Sequence, residues 1–343
     1  MRRKNFPKMP ELRKDPIHNR WVIVSKERAQ RPDYFTSSED SLRAELCPFC
    51  PGNEKMTPPE VLAYREEGTS ADEPGWSLRV IPNKYPALNT KGEAVPLGSG
   101  LLQGLNGIGS HEVIIEHPYH MTELEHLPGS HIADCFRAFK ERLADLKSDP
   151  RLQHITIFKN HGKSAGTSQE HTHSQLIALP VVPNQVTEQI TACKRHHSTY
   201  NHCIYCTLID QERSEKRRIV AQNESFIAFC PYASRYSFEI TILPLNHCAR
   251  FENSSKQELS ALAELFKESL TRMRRVLNNP PYNFILHTAP VKEDEEMESI
   301  FHWHLDIMPQ LTALAGIEKG TGLHINTTLP EEATETLRNA NIE

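Results

Sequence analysis

No stretch of this 343-residue sequence approaches the roughly 18 consecutive apolar residues that cross a bilayer, and no basic head joined to an apolar run follows Met1. Neither a membrane span nor a secretory leader is expected, and the chain reads as soluble and cytoplasmic. Positive charge is also scarce. Against 44 Asp and Glu stand 39 Lys and Arg, a formal net charge of -5, which leaves no surplus to neutralise a polynucleotide over a broad face. A nucleic-acid partner is therefore not expected. What is present is a 38% hydrophobic content, enough for two globular units or one duplicated one. Of the eight cysteines, four fall in two Cys-x-x-Cys pairs, Cys47/Cys50 and Cys203/Cys206, a spacing that favours metal or redox chemistry over a disulfide set. Cys135, Cys193, Cys230 and Cys248 read as small core or surface residues.

Two stretches, Val113 to Pro183 and Thr241 to Leu311, can be laid over each other. Each opens with an apolar strand followed by a histidine, His120 or His247. A helical pattern comes next, with Ile132, Cys135, Phe136, Phe139, Leu143 and Leu146 on one face of the first copy, and Leu259, Leu262, Leu265, Phe266, Leu270 and Met273 on that of the second. Ser255 and Glu258 fit a capping box, and Asp149-Pro150 and Asn279-Pro280 end the helices. A β-branched and aromatic second strand follows each helix, at Ile155 to Phe158 and Asn283 to Leu286. Each copy then closes on a His-x-His strand, His171-Thr172-His173 and His302-Trp303-His304, whose paired imidazoles point to one face. An α+β protein of two related halves, each an antiparallel sheet with a packed helix, is expected, divided into residues 1–185 and 186–343.

Two thiolates from a tight turn and two imidazoles form a tetrahedral set suited to zinc, and each half supplies one. The ligands are Cys47, Cys50, His120 and one of His171 or His173 in the first half, and Cys203, Cys206, His247 and one of His302 or His304 in the second. A dithiol redox pair would not need histidines recurring in matching order. A nucleic-acid finger keeps its four ligands within about 30 residues, far less than the span from Cys50 to His120. Two zinc ions that staple the fold are expected.

The halves differ before the His-x-His. Asn160 to Gln169, with Gly166, Thr167 and Ser168, is a small, hydroxyl-rich loop whose N–H groups suit phosphate, whereas Lys292 to Glu298 is acidic. Gln175 in the first half is matched by Asp306 in the second. The first half is thus the candidate catalytic one. A neutral imidazole can attack phosphorus, which makes His173 the candidate nucleophile, with Gln175, Ser168 and loop N–H groups stabilising the phosphoryl oxygens. A nucleotidyl-histidine conserves the energy of the bond it replaces, favouring a transferase over a hydrolase. The noncatalytic alternative is a double-zinc binding module.

The run from Arg13-Lys14-Asp15-Pro16 to Arg28-Ala29-Gln30-Arg31-Pro32, then Cys47-Pro48-Phe49-Cys50, then Gly166 to Gln175, resembles the galactose-1-phosphate uridylyltransferase family of the histidine-triad superfamily, including its ADP-glucose phosphorylase branch. The resemblance spans Leu12 to about Arg338 and implies two tandem histidine-triad-like halves. It implies that His173 is nucleotidylated, that His171 and His302 are the metal ligands, and that Gln175 holds the phosphate. By the same resemblance Arg28, Arg31 and Asn83 bind nucleotide, Asn160, Gly166 and Thr167 line the substrate, and Glu318 contacts the sugar in the site of a partner subunit, so a homodimer is implied. The implied substrates are UDP-glucose and galactose 1-phosphate, with phosphorolysis of ADP-glucose as the alternative. Thr172 and Asn83-Lys84-Tyr85 depart from the uridylyltransferase pattern, and Lys84 cannot accept hydrogen bonds as a carboxylate would.

Overall fold

The computed structural model describes the strand backbones of residues 11–14 and 21–24, then residues 47–120, 123–292, 295–313, 316–322 and 324–342. The strands are β1 (Glu11–Lys14), β2 (Trp21–Val24), β3 (Leu62–Arg65), β4 (Trp76–Pro82), β5 (Pro96–Ser99), β6 (Leu102–Asn106), β7 (Ser110–Ile115), β8 (His154–His161), β9 (His173–Leu179), β10 (Ile219–Gln222), β11 (Phe226–Phe229), β12 (Ile240–Pro244), β13 (Tyr282–His287) and β14 (His304–Pro309). The helices are α1 (Gly129–Leu146), α2 (Asn184–Tyr200), α3 (Ile204–Glu215), α4 (Lys256–Leu277), α5 (Glu295–Ile300), α6 (Gly316–Thr321) and α7 (Pro330–Arg338). Among the described residues no helix is long and apolar enough to cross a membrane.

Ten strands form one sheet in the order β10-β11-β12-β14-β13-β8-β9-β7-β4-β3, and β2-β1-β6-β5 form a separate four-stranded one. The order is a palindrome of the duplication. From the outer edge inwards, β3, β4, β7, β9 and β8 correspond to β10, β11, β12, β14 and β13. The copies meet at the centre, where β8 and β13 pair antiparallel from Tyr282↔His161 to Leu286↔Ile157. The expected duplication of antiparallel sheet and helix is therefore present, with the halves fused into one continuous sheet.

Helices α1 and α4 cover one face of that sheet and touch each other through their apolar stripes, as the period of the stripes requires. The rings of Phe136 and Phe266 meet edge-on at 5.4 Å, and Phe266 meets Phe284 of β13 at 5.6 Å. Burying each such ring contributes roughly 1.5–3 kcal/mol. The capping box at α4 forms as expected: Glu258 N–H donates to Ser255 Oγ at 3.2 Å and Ser255 N–H to Glu258 Oε2 at 2.7 Å. Asn278 and Asn279, at φ 56° and 57°, end that helix in the left-handed region.

The opposite face carries the chemistry. On β9 the core-side residue Leu176 joins the large cluster with Ile114 and Phe136, while Val113 and Ile115 of β7 belong to a second cluster with Trp76, Ile81 and Phe49. His171 and His302 each stand just before their strand and not within it, because β9 opens at His173 and β14 at His304. The acidic run after Lys292, expected as a loop, is a helix from Glu295 onward. Met297 and Ile300 bury one side of it, and this apolar spacing outweighs the charge of Glu295, Glu296 and Glu298.

Candidate active site and metal centres

The turn at Cys47 closes through Cys50 N–H to Cys47 O at 3.2 Å, which turns both thiols to one side. His171 donates from Nε2 to the carbonyl of His117 at 2.7 Å. A carbonyl only accepts, so the proton is on Nε2 and Nδ1 presents its lone pair. That Nδ1 lies 3.7 Å from Cys47 Sγ and 3.5 Å from Cys50 Sγ, and His120 Nδ1 lies 3.4 Å from Cys50 Sγ. The edges of a zinc tetrahedron with these donors are about 3.6 Å. Burial holds His171 neutral, lowering it to about 4, and pushes the Cys50 thiol up to about 12, so thiolates here are tenable only against a cation.

The second half repeats the arrangement. His302 Nε2 donates to Pro244 O at 3.0 Å, and its Nδ1 faces Cys203 Sγ at 4.0 Å and Cys206 Sγ at 3.6 Å. His247 Nε2 donates to Glu298 O at 2.8 Å, leaving Nδ1 at 3.4 Å from Cys206 Sγ. The helix formed by the acidic run thus supplies the carbonyl that orients a ligand. Both four-residue groups gather their donor atoms within 4.8 Å, so both can hold a metal ion, each with the first histidine of its pair.

The second histidines meet different fates. His173 Nδ1 donates to His171 O at 2.8 Å, which puts its lone pair on Nε2. One cleft beside it is lined by Phe49, Asn83, Lys84, Ser168, Gln175 and Val113, among others. A second is lined by Asn160, Gly162, Thr167, Glu123 and Asn279. His173 belongs to both walls, and the Phe49 ring packs edge-on against it at 5.4 Å. His304 likewise donates from Nδ1 to His302 O at 3.0 Å, but it is stacked on His287 at 4.5 Å and on Tyr205 at 5.0 Å. Burial lowers it to about 3. His287, His304 and Asp306 form a third cluster of potential ligands. Its carboxylate is already engaged, by Thr241 Oγ1 at 2.6 Å and Arg235 Nη2 at 3.1 Å.

The expected site residues Asn83, Ser168, His173 and Gln175 thus converge on one cleft, and Asn160 and Thr167 on the other. Gly166, at φ 88°, needs its left-handed backbone to turn the loop. The N–H groups of Ala165, Gly166 and Thr167 close that turn onto the carbonyls of Gly162 and Lys163, so they are spent within the loop and do not face phosphate as expected. Glu318 is on α6 and, among the described residues, lines neither cleft. Arg28 and Arg31 lie outside the described residues.

Three partners of the site were missed. His111 holds Gln175 Oε1 at 2.9 Å, and Glu116 and Lys159 are buried behind His173, with Lys159 Nζ donating to His173 O at 3.0 Å. The alternation of β7 and β9 carried a signal for His111, which shares a face with Val113 and Ile115.

Compared with known proteins, residues 3–183 match the family model described as galactose-1-phosphate uridyl transferase, N-terminal domain, and residues 129–341 match a domain of unknown function, DUF4921. The Arabidopsis thaliana ADP-glucose phosphorylase is 36% identical over 338 residues, covering 97% of this chain and 93% of that protein. The crystal structure of an ADP-glucose phosphorylase from Arabidopsis thaliana with bound ADP-glucose superposes with a TM-score of 0.76 over 97% of this chain and 99% of that one. The Thermotoga maritima galactose-1-phosphate uridylyltransferase is 28% identical, over 98% of this chain and 100% of that protein. A solved uridylyltransferase, also 28% identical, reaches a TM-score of 0.79 over 96% of this chain and 98% of that one.

Proposed function

This chain belongs to the galactose-1-phosphate uridyl transferase family, and from that premise we propose that it transfers a nucleoside monophosphate between a nucleotide sugar and a phosphate-bearing acceptor through His173. The observation that carries the proposal is the bond from His173 Nδ1 to His171 O, which directs the Nε2 lone pair into the wall shared by the two clefts. Nε2 attacks the α-phosphorus, and an N–P bond forms as the P–O bond to the hexose 1-phosphate breaks. The leaving group departs as a phosphate anion and needs no strong general acid. An oxygen of the acceptor phosphate then attacks the same phosphorus and releases His173. Gln175 and Ser168 stabilise the oxygens that carry the developing charge.

Asn83 and the Phe49 side of the first cleft receive the nucleoside, together with Arg28 and Arg31. Asn160 and Thr167 face the departing sugar phosphate or the incoming acceptor. Glu318 reaches the sugar in the site of a partner subunit, which makes the working unit a homodimer. The two Cys/His groups hold zinc, which staples each half and makes no bond to the reacting phosphate. Residues 1–185 are the catalytic half and residues 186–343 the structural half of a cytoplasmic enzyme.

UDP-glucose with galactose 1-phosphate is the family pair. We place ADP-glucose with inorganic phosphate ahead of it. Lys84 stands at the nucleoside end of the cleft, where its ammonium can only donate hydrogen bonds, and the chain is 36% identical to an ADP-glucose phosphorylase against 28% for a uridylyltransferase. Intact mass after separate incubation with ADP-glucose and UDP-glucose decides between them. A gain of one adenylyl group from ADP-glucose, absent in His173→Ala with both metals retained, is the expected result. No adduct from either sugar nucleotide would overturn the covalent route.

A further inference from the structure

We propose that His111 is a positioning residue that locks the Gln175 amide with its NH2 group toward the phosphoryl group on His173; the inference rests on the transferase reading above. His111 is on β7, buried, and is not among the residues lining the cleft. Val113 of β7 pairs directly with Gln175 of β9, so His111, two residues back, is its diagonal neighbour on the same face. The backbone N–H of Ala87 donates to His111 Nδ1 at 3.1 Å. A backbone nitrogen only donates, so Nδ1 carries the lone pair and the neutral ring has its proton on Nε2. Near Nε2 lie Gln175 Oε1 at 2.9 Å and Asn83 Nδ2 at 3.2 Å. Only the oxygen accepts.

The consequence concerns the amide. With Oε1 fixed on His111, the NH2 of Gln175 is turned to the cleft wall that it shares with Ser168 and His173. Without that bond a glutamine amide is free to flip and present an oxygen to a phosphate, where it repels charge that an NH2 would stabilise. Asn83 accepts the Tyr85 N–H on Oδ1 at 2.9 Å, so its amide is oriented by that backbone group, and its Nδ2 is a second donor that the Nε2 proton of His111 does not hold.

The second half uses the same place for the same kind of task. Thr241 pairs with Asp306 as Val113 pairs with Gln175, and two residues back Glu239 takes the position of His111. Glu239 Oε1 accepts from Arg235 Nη2 at 2.8 Å, and Arg235 Nη2 reaches Asp306 at 3.1 Å. In the second half this position reaches the residue opposite only through Arg235, whereas in the first His111 touches Gln175 directly. In the first it orients a phosphate donor.

A double-mutant cycle on adduct formation tests the inference, with ADP-glucose and UDP-glucose as donors. His111→Phe, which keeps a ring and removes the donor, should slow nucleotidylation of His173 about 100-fold, the effect of a misplaced stabilising group, while KM for the nucleotide sugar changes less than about threefold. In a Gln175→Ala background the same substitution should cost less than about threefold, because its only route to the phosphate is gone. His111→Gln, whose amide N–H reaches where Nε2 was, should keep most of the rate. Multiplicative losses in the double variant, or a wild-type rate in His111→Phe with both metals bound, would overturn the inference. Should His111→Phe fail to fold, His111→Gln is compared with His111→Asn: a rate kept only by Gln supports the lock, and equal rates overturn it. A wild-type chain that forms no adduct overturns the transferase reading and this inference together, whereas a wild-type adduct with independent effects overturns this inference alone.

Discussion

The side-chain nitrogen of Gln189 lies 3.1 Å from Nε2 of His304, the ring that occupies in the second half the place of His173 in the first. His304 spends its Nδ1 proton on His302 O, so its lone pair is on Nε2, and the Gln189 N–H is there to take it. The same amide reaches Tyr205 Oη at 2.5 Å. One half thus has its second imidazole capped by α2 while the other opens onto two clefts, although the two His-x-His strands are built alike. After incubation with ADP-glucose or UDP-glucose, peptide mapping should place the nucleotidyl group on the peptide carrying His173 and none on that carrying His304. Gln189→Leu should leave the transfer rate within about threefold and destabilise the fold by about 1–3 kcal/mol, the cost of a buried acceptor without its donor. An adduct on His304 in the wild-type chain would contradict the capped reading.

Metal analysis should find two equivalents per chain. Cys203→Ser should lose one of them and lower the melting temperature, since the second group ties Cys203 at the start of α3 to the entry of β14. Cys50→Ser should lose the other and also most of the transfer activity. The first metal fixes the ring of His171, and the carbonyl of that same residue holds His173 Nδ1 at 2.8 Å. Equal activity in the two variants would separate the first metal from the site.

The duplication, both helices, the capping box and three of the four ligands in each metal set could be read from spacing, because period 2 and period 3.6 patterns and Cys-x-x-Cys turns are local signals; which histidine of each His-x-His pair closes the set came only from the family resemblance. The join of the halves was not legible. Nothing in Ile157 or Leu286 says that their strands are neighbours; that follows from α1 and α4 sharing one apolar interface above them. Nor could spacing reveal that the N–H groups of Gly166 and Thr167 are used to close their own turn. His111, Glu116 and Lys159 escaped for a common reason. A polar residue at the end or in the middle of an apolar strand reads as an interruption until its buried partner, supplied by another strand, is known.

His154 gives stability a pH dependence. It is 3% exposed, its Nε2 meets Thr156 Oγ1 at 2.8 Å, and burial lowers it from 6.5 to about 4. The folded chain therefore resists protonating it while the unfolded chain does not. A depressed value means that the stabilisation is complete above pH 6.5 and is lost as pH falls toward 4. Between pH 7 and pH 5 this single group should remove roughly 2 kcal/mol from the unfolding free energy. Denaturant titrations at both pH values should show a smaller difference in His154→Leu than in the wild-type chain, and an identical difference would assign the loss elsewhere.

Behind the nucleophile, Lys159 Nζ donates to Glu116 Oε2 at 2.6 Å, to Thr172 Oγ1 at 2.9 Å and to His173 O at 3.0 Å. Ser174 Oγ donates to Glu116 Oε1 at 2.5 Å, so the pair grips the three consecutive residues 172, 173 and 174. Burial would raise the Glu116 carboxyl; the charge and hydrogen bond of Lys159, with the two hydroxyls, hold it below its ordinary value. Both charges are almost fully buried, so each is tolerable only because the other is present. Lys159→Met alone should therefore cost about 3–5 kcal/mol by stranding Glu116, and adding Glu116→Leu should recover most of that loss. Catalysis should not recover with stability. The double variant regains a packed interior but loses the bonds that hold the His173 carbonyl and the flanking hydroxyls, so nucleotidylation should remain about 100-fold slow. Unfolding curves and adduct rates on the three chains separate the two effects, and a double variant as fast as the wild type would reduce the pair to packing.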